Sequence, residues 1–99
     1  MALTDKHLVN MLKAVADPAR LKILRLLKQK NQCSIGKGAG MCACDVQDHV
    51  ALSQPTISHH MAILRKAGLV EGEKHGLWMW YRRNEKSLKE LAHAINADL

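Results

Sequence analysis

Apolar residues recur every three or four positions over most of this chain, which is the spacing of helices with one buried face. The first helix is predicted over about residues 4–16, with these apolar positions: Leu8, Met11, Leu12 and Val15. A second helix is predicted to begin at Pro18, with Asp17 as its N-cap, because a carboxylate accepts hydrogen bonds from the first free N–H groups. The last helix is predicted over Glu85–Asp98, with these apolar positions: Leu88, Leu91, Ala92 and Ile95.

The middle of the chain is predicted to be a short helix, a turn and a longer helix. Glycines at positions 36, 38 and 40 separate this unit from the second helix and indicate a loop. The short helix is predicted over residues 45–50, with Cys44 near its N-cap. The longer helix is predicted over residues 54–67, after Ser53 as N-cap and before Gly68 as a stop signal. Three of its positions share the inward side: Ile57, Met61 and Leu64.

The segment that follows predicts a β-hairpin, "LVEGEK" and "WMWYRR" around the turn His75-Gly76-Leu77. A helix-turn-helix followed by a hairpin is a winged helix-turn-helix. We therefore expect a mainly α fold with a small β-hairpin wing, and the length allows a single domain over residues 1–99.

Charge and side-chain type indicate a nucleic-acid partner. The chain has 15 Lys and Arg against 9 Asp and Glu, a net charge of +6, and such a surplus suggests a polyanion. The outward side of the longer helix offers short polar groups for base edges: Gln54, Thr56, Ser58 and His59. Basic residues at its end and on the hairpin are the candidates for phosphate contacts: Arg65, Lys74, Arg82 and Arg83.

Other function classes find less support in the sequence. No apolar run approaches the ~18 residues that a membrane span needs, and the N-terminus lacks the apolar centre of a signal peptide. We expect a cytoplasmic protein with no membrane partner. The sequence contains no nucleophile elbow, phosphate loop or paired carboxylates, so we expect no enzyme. Three cysteines in a reducing compartment leave metal binding or thiol chemistry open.

Three segments, "ADPARLKIL", "LSQPTISHHMAILRKAGLV" and "GLWMWYRRN", resemble in order and spacing the ArsR/SmtB family of bacterial metalloregulatory repressors. The resemblance covers nearly the whole chain, and "SQPTISHH" is its most specific part. It implies a homodimeric repressor that binds double-stranded operator DNA and dimerises through its first and last helices. The two matching apolar stripes suit that role, and we expect four residues at the interface: Leu8, Leu88, Leu91 and Ile95.

The "CACD" segment resembles the family's thiolate site at the front of the third helix, where a Cys-x-Cys pair binds soft ions. In an extended segment, Cys42 and Cys44 would point to one side, and a helix N-terminus would favour the thiolate of Cys44. The family's arsenic-sensing pattern has a further cysteine three residues after the pair, where this chain has Gln47. The third thiol available is Cys33, if the glycine-rich loop folds back. Three thiolates suit As(III) or Sb(III), whereas Cd, Pb, Hg or Zn prefer four ligands or tolerate three.

Other interpretations of the same thiols remain open. Cys33 can form a disulfide with either of the other two in a redox-sensing repressor, and a nucleoid-type DNA binder would leave all three unused. His49 can join Cys44 as a ligand, although a scaffold role is the more common one. His93, with only Asp98 nearby, does not reproduce the paired carboxylate and imidazole ligands of zinc-sensing relatives.

Overall fold

The computed structural model describes residues 3–30 and 41–99, apart from the side chains of Lys30, Cys44 and Trp78. The described chain forms five helices and three strands, which are, in chain order, α1 Asp5–Val15, α2 Pro18–Lys30, β1 Met41–Cys42, α3 Ala43–Val50, α4 Gln54–Lys66, β2 Val70–His75, β3 Trp78–Arg83 and α5 Glu85–Asp98. Every helix in these ranges is too short or too polar to span a bilayer. The predicted loop with Cys33 lies outside the described residues.

The predicted starts of α1 and α2 are confirmed, and each start has an N-cap residue. The Thr4 hydroxyl accepts a hydrogen bond from the backbone N–H of His7 at 3.2 Å. The Asp17 carboxylate accepts from the backbone N–H groups of Ala19 and Arg20 at 2.9 and 3.1 Å, and Pro18 takes the first helical position, where no N–H is needed. Local capping chemistry therefore decides where both helices begin.

The predicted helix-turn-helix is also confirmed. Between α3 and α4, Ala51 has a left-handed backbone with φ of 60°, and the hydroxyl of Ser53 caps α4. The chain leaves α4 through Gly68, whose φ of +79° favours glycine. The inward side of α4 is buried as predicted, with exposed fractions of 2 % or less for three residues: Ile57, Met61 and Leu64. Its apolar back thus packs into the core and leaves the opposite side to solvent.

The wing, β2 and β3, belongs to a three-stranded antiparallel sheet in the order β1-β3-β2. The expectation of a two-stranded hairpin missed β1, in which Met41 pairs with Tyr81 and Cys42 pairs with Trp80. The predicted three-residue turn is also too long, because His75 pairs with Trp78 and only Gly76 and Leu77 connect the strands. A two-residue strand has no periodicity that could reveal it in the sequence.

The third helix begins at Ala43, two residues before the predicted start at Asp45. Cys42 is its N-cap with an extended backbone, so Cys44 is the second helical residue. Cys42 and Cys44 therefore do not lie in one extended segment, and that prediction is wrong. The physical reason is that Cys42 stays extended to pair with Trp80, while Ala43, the best helix former, starts the helix at once.

Two of the four residues expected at a dimer interface belong to the core of one protomer. Leu8 and Leu91 are 9 % and 6 % exposed, because α1 packs against α5 and both side chains lie between the helices and the rest of the core. Leu88 is partly buried, and Ile95 is 40 % exposed. One edge of the apolar stripe on α5 is therefore buried in the core, and the other edge is exposed to solvent.

A polar joint links α1, α2 and α4, and Arg20 is its centre. The Arg20 guanidinium donates through Nε to the Ala14 carbonyl at 2.7 Å and through Nη1 to Nδ1 of His60 at 3.1 Å. Asp17 lies beside it, with Oδ2 at 3.9 Å from the same His60 nitrogen. The backbone N–H of Arg20 and then the charge of its guanidinium lower the pKa of Asp17 from its ordinary value of 3.8.

The lowered pKa predicts a pH-dependent contribution of Asp17 to stability. Asp17→Asn keeps an N-cap acceptor and removes the charge. Because the folded state lowers the pKa, the carboxylate stabilises the fold above its unfolded pKa, and this contribution is lost as pH falls through the folded pKa. The difference in free energy of unfolding between the two proteins should be constant above about pH 5 and shrink below about pH 4. Urea unfolding at several pH values measures it, and a difference that does not change with pH contradicts the assignment.

Candidate DNA-binding surface and thiol site

The N-terminal half of α4 presents a polar surface to solvent, as predicted. Gln54, Ser58 and His59 are exposed, so their polar groups are free to reach base edges. Thr56 is different, because it is half-buried and its hydroxyl lies 2.8 Å from that of Ser53, the N-cap. Three of the four base-side candidates are therefore available for contacts, and Thr56 is engaged in the cap.

Arg65, at the end of α4, is placed against the wing. A Cβ atom at Gly72 of β2 would lie only 3.0 Å from both Cζ and Nε of Arg65, and 3.1 Å from Cε of Met79. The absence of a side chain at Gly72 therefore lets the guanidinium lie close to the strand. Arg65 therefore lies where the end of α4 meets the wing, and it remains exposed.

The basic residues of the wing fall into two groups. Lys74 is exposed, and Arg82 lies in the cross-strand row with Glu71, reaching Glu71 and Glu73 at 3.4 Å each. Arg83 has the opposite orientation, with 14 % of its side chain exposed and its Nε at 2.9 Å from Glu85. Lys74 is thus accessible to a phosphate, Arg82 is partly exposed but pairs with two carboxylates, and Arg83 is paired with Glu85 at the start of α5.

Cys42 occupies the junction of the wing and the helix-turn-helix. It is half-buried, it is the N-cap of α3, and it pairs with Trp80 of β3. Its side chain makes no capping hydrogen bond, so the sulfur does not satisfy the free N–H groups of the first turn. Among the described side chains, no group of three or more histidine, cysteine or acidic residues could hold a metal ion; Cys33 and the Cys44 side chain are outside that set.

His49 stays apart from any such cluster in the described part of the chain. Its Nδ1 lies 2.8 Å from the carbonyl oxygen of Asp45, one turn back on the same helix, and the residue is exposed. A ring nitrogen held by a backbone carbonyl is donating a proton, which leaves only Nε2 free to act as a ligand.

Comparison with known proteins decides the family. The family model described as bacterial regulatory protein, arsR family, matches residues 37–72, a range that contains α3 and α4. An HTH-type transcriptional regulator of Methanocaldococcus jannaschii is 39 % identical over 85 % of each chain. The arsenical resistance operon repressor of Staphylococcus aureus is 40 % identical over 92 % of this chain and 79 % of its own. The chain belongs to the ArsR family.

The family is one of transcriptional regulators, and its DNA-binding element is the winged helix-turn-helix described above. Among solved structures, a homodimeric winged helix-turn-helix domain of Mycobacterium bovis has a TM-score of 0.72 at 24 % identity, covering 97 % of this chain and 88 % of its own. At that identity the likeness concerns the fold alone. It confirms the winged helix-turn-helix architecture for this ArsR-family chain.

Sequence reasoning missed two residues that hold this surface in place. His60 is the first: it follows the base-side candidate His59, but only 13 % of its side chain is exposed and it contacts Arg20. It lies three residues after Ile57 and four before Leu64, so helical spacing was the signal that could have placed it on the buried side. For Gly72, no signal in the sequence indicates the approach of Arg65.

Base-side and phosphate-side candidates should respond differently to substitution when DNA binding is measured. Gln54→Ala should reduce the preference for a selected high-affinity sequence over random DNA by about 1–3 kcal/mol, since base contacts carry specificity. Lys74→Gln should weaken binding to all sequences about equally and lower the slope of log K against log[salt] by roughly one unit. Anisotropy titrations over a salt series measure both, with Lys89→Gln on α5 as the matched charge control. Equal loss on both DNAs for Gln54→Ala would contradict its base-side role.

Proposed function

We propose that this ArsR-family protein is a homodimeric repressor that leaves its operator DNA when cysteine thiolates bind a soft ion. As(III) or Sb(III) is the first candidate, and Cd, Pb or Zn is the alternative. The observation that carries the proposal is the position of Cys42, which is both the N-cap of α3 and the strand partner of Trp80. The S. aureus relative's name, arsenical resistance operon repressor, supports the choice of ion. In this proposal residues 1–99 act as one DNA-binding domain with no enzymatic activity.

The chemistry of the position fits a thiolate ligand. Cys42 places a cysteine sulfur at the start of α3, and cysteine sulfur is the ligand that soft ions prefer. Cys42 is half-buried, which leaves one side of the residue accessible. Cys44 is two residues further along the chain, and Cys33 is the proposed third ligand. A soft ion would contribute bonds to sulfur, and three thiolates meet the preference of As(III) for three ligands.

Two structural routes lead from Cys42 to the DNA-binding surface. The first runs along the sheet, because β1 pairs with β3 and β3 pairs with β2, so a shift of Cys42 displaces the wing. The second runs through α3, whose buried Val46 and Val50 share the core with Ile57 of α4. Drawing Cys42 and Cys44 towards a third ligand therefore changes both elements that hold DNA.

The proposed coupling requires only a modest free energy. Coupling between two sites is typically about 1–3 kcal/mol, which lowers DNA affinity roughly 5- to 150-fold. A dimer presents two α4 helices to successive major grooves of a near-palindromic site, so each protomer's displacement weakens the same complex. The ion can therefore release DNA without unfolding either protomer.

A dimer surface is supported by apolar residues that one protomer leaves exposed. On α1, Val9 is 45 % exposed, and on α5, Ile95 and the adjoining Leu99 are exposed. Leu88, seven residues before Ile95, lies on the same side of α5 and is only partly buried. The exposed apolar residues of α1 and α5 thus lie on the pair of helices proposed to dimerise.

The dimer proposal predicts different outcomes for two neighbouring substitutions. Ile95→Glu should give a folded monomer, because it places a charge at the proposed interface without entering the core. Leu91→Glu should instead unfold the protomer, since Leu91 is buried within it. Sedimentation velocity and circular dichroism distinguish the two effects, and operator binding should collapse for Ile95→Glu because one half-site supplies too few contacts. A dimeric Ile95→Glu protein that binds DNA normally contradicts the interface.

The thiol proposal predicts that cysteine variants still repress but no longer respond. Cys42→Ser and Cys44→Ser should fold and bind DNA like the parent, because a hydroxyl replaces a thiol of similar volume. Under strong reductant, As(III) should release the parent from DNA and leave both variants bound. Cys33→Ser should also lose most of the response, and X-ray absorption should count three sulfur ligands in the parent.

Other results would reassign or reject the site. If Cys33→Ser responds like the parent, the site uses Cys42, Cys44 and another ligand, for which His49 is the first candidate. A normal response of all three variants would show that the thiols only pack. Release by an oxidant, where As(III) has no effect, would favour the redox alternative with a disulfide formed by Cys33.

A further inference from the structure

A basic groove lies between α1, the start of α2 and the end of α4. Its volume is about 430 Å³, and its polar lining consists of Lys6, Asn10, Lys13, Arg20 and Lys66. Lys6, Asn10 and Lys13 follow one another at spacings of four and three, so they share one side of α1. None of the described residues that line the groove is acidic.

The positive charge of the groove exceeds the negative charge of the helix ends and of the carboxylate beside it. Lys13 and Lys66 lie in the last turns of α1 and α4, where a cation offsets about half a negative charge at each helix end. The carboxylate of Asp17 beside Arg20 offsets one further charge. Against four basic side chains, this leaves about two positive charges. The three lysines make no ion pair with any residue in the described part of the chain.

Arg20 connects the groove to α4. Two of its nitrogens are held by the carbonyls of Ala14 and Lys13, at 2.7 and 3.4 Å, so the guanidinium is fixed at the edge of the groove. Its Nη1 donates to His60 on α4 at 3.1 Å. An anion in the groove would compete with His60 for this guanidinium, because an arginine–oxyanion pair is stronger than a hydrogen bond to a neutral ring.

We propose that the basic groove binds a small phosphate-type dianion, either free phosphate or a phosphomonoester, and that its binding weakens the hold of Arg20 on α4. Two positive charges match a dianion, lysines supply point charges, and an arginine supplies directed N–H groups to tetrahedral oxyanions. The groove reaches α4 at Ile63, about 13 Å along the helix axis from Gln54 at the base-reading end. None of the residues assigned to base or phosphate contacts lines the groove, which favours a free anion over a phosphate of the bound DNA.

The first test measures binding to the full chain without DNA, so its outcome does not depend on the thiol site. Inorganic phosphate is titrated at constant ionic strength against chloride while backbone amide NMR shifts are followed. We expect saturable shifts at Lys13, Ala14 and Arg20 in the parent, and a loss of affinity of at least about tenfold in the double variant Lys13→Gln/Lys66→Gln. The matched control, Lys86→Gln/Lys89→Gln on α5, removes the same charge and should bind phosphate like the parent. Shifts that chloride reproduces, or an equal loss in the control, overturn the proposal.

The second test identifies the source of the phosphate and the coupling. At constant ionic strength, saturating phosphate should lower the DNA affinity of the parent and of the control at least about fivefold, and leave the double variant unchanged. In chloride alone, the double variant should bind DNA like the parent. If it instead loses affinity and its salt slope falls by about two units, the groove holds a DNA phosphate and the free-anion proposal is wrong. Unchanged DNA affinity of the parent in phosphate overturns the coupling through Arg20.

Discussion

Burial of the inward side of α4 is the constraint on which the rest of the molecule depends. Ile57, Met61 and Leu64 are almost completely excluded from water, and each contributes roughly 1.5–3 kcal/mol when fully buried. Because these three side chains fix the rotation of the helix about its axis, Gln54, Ser58 and His59 have no alternative but to face solvent. The polar surface proposed to read base edges is thus a consequence of packing on the opposite side of the same helix.

Arginines and lysines have different tasks in this protein, although both contribute to its net charge. Arg20 joins three helices, Arg65 lies against Gly72, and Arg83 pairs with Glu85. A planar guanidinium with five donors suits such fixed contacts, whereas an ammonium on a flexible chain suits a solvated surface. Much of the arginine charge therefore holds the winged helix together, and the exposed lysines supply most of the charge that remains for anions.

The short strand β1 joins the cysteine segment to the sheet of the wing. Met41 is buried against the core and pairs with Tyr81, and the next residue, Cys42, both pairs with Trp80 and starts α3. A single residue thus belongs to the wing's sheet and to the helix-turn-helix. In the proposed mechanism, an ion bound at this position would act on both the wing and the helix-turn-helix through backbone hydrogen bonds and helix packing.

The sequence alone determined the helices with clear periodicity and caps, the polar side of α4 and the family, because these depend on spacing and on residues adjacent in the chain. Asp17, Ser53 and Gly68 act within a few residues of their own positions. Tertiary structure decided the rest. The pairing of Cys42 with Trp80 joins residues 38 positions apart, which no local pattern encodes. Whether Leu91 or Ile95 faces the core also depends on how α5 packs against α1. The spacing of the apolar residues on α5 is the same in either case.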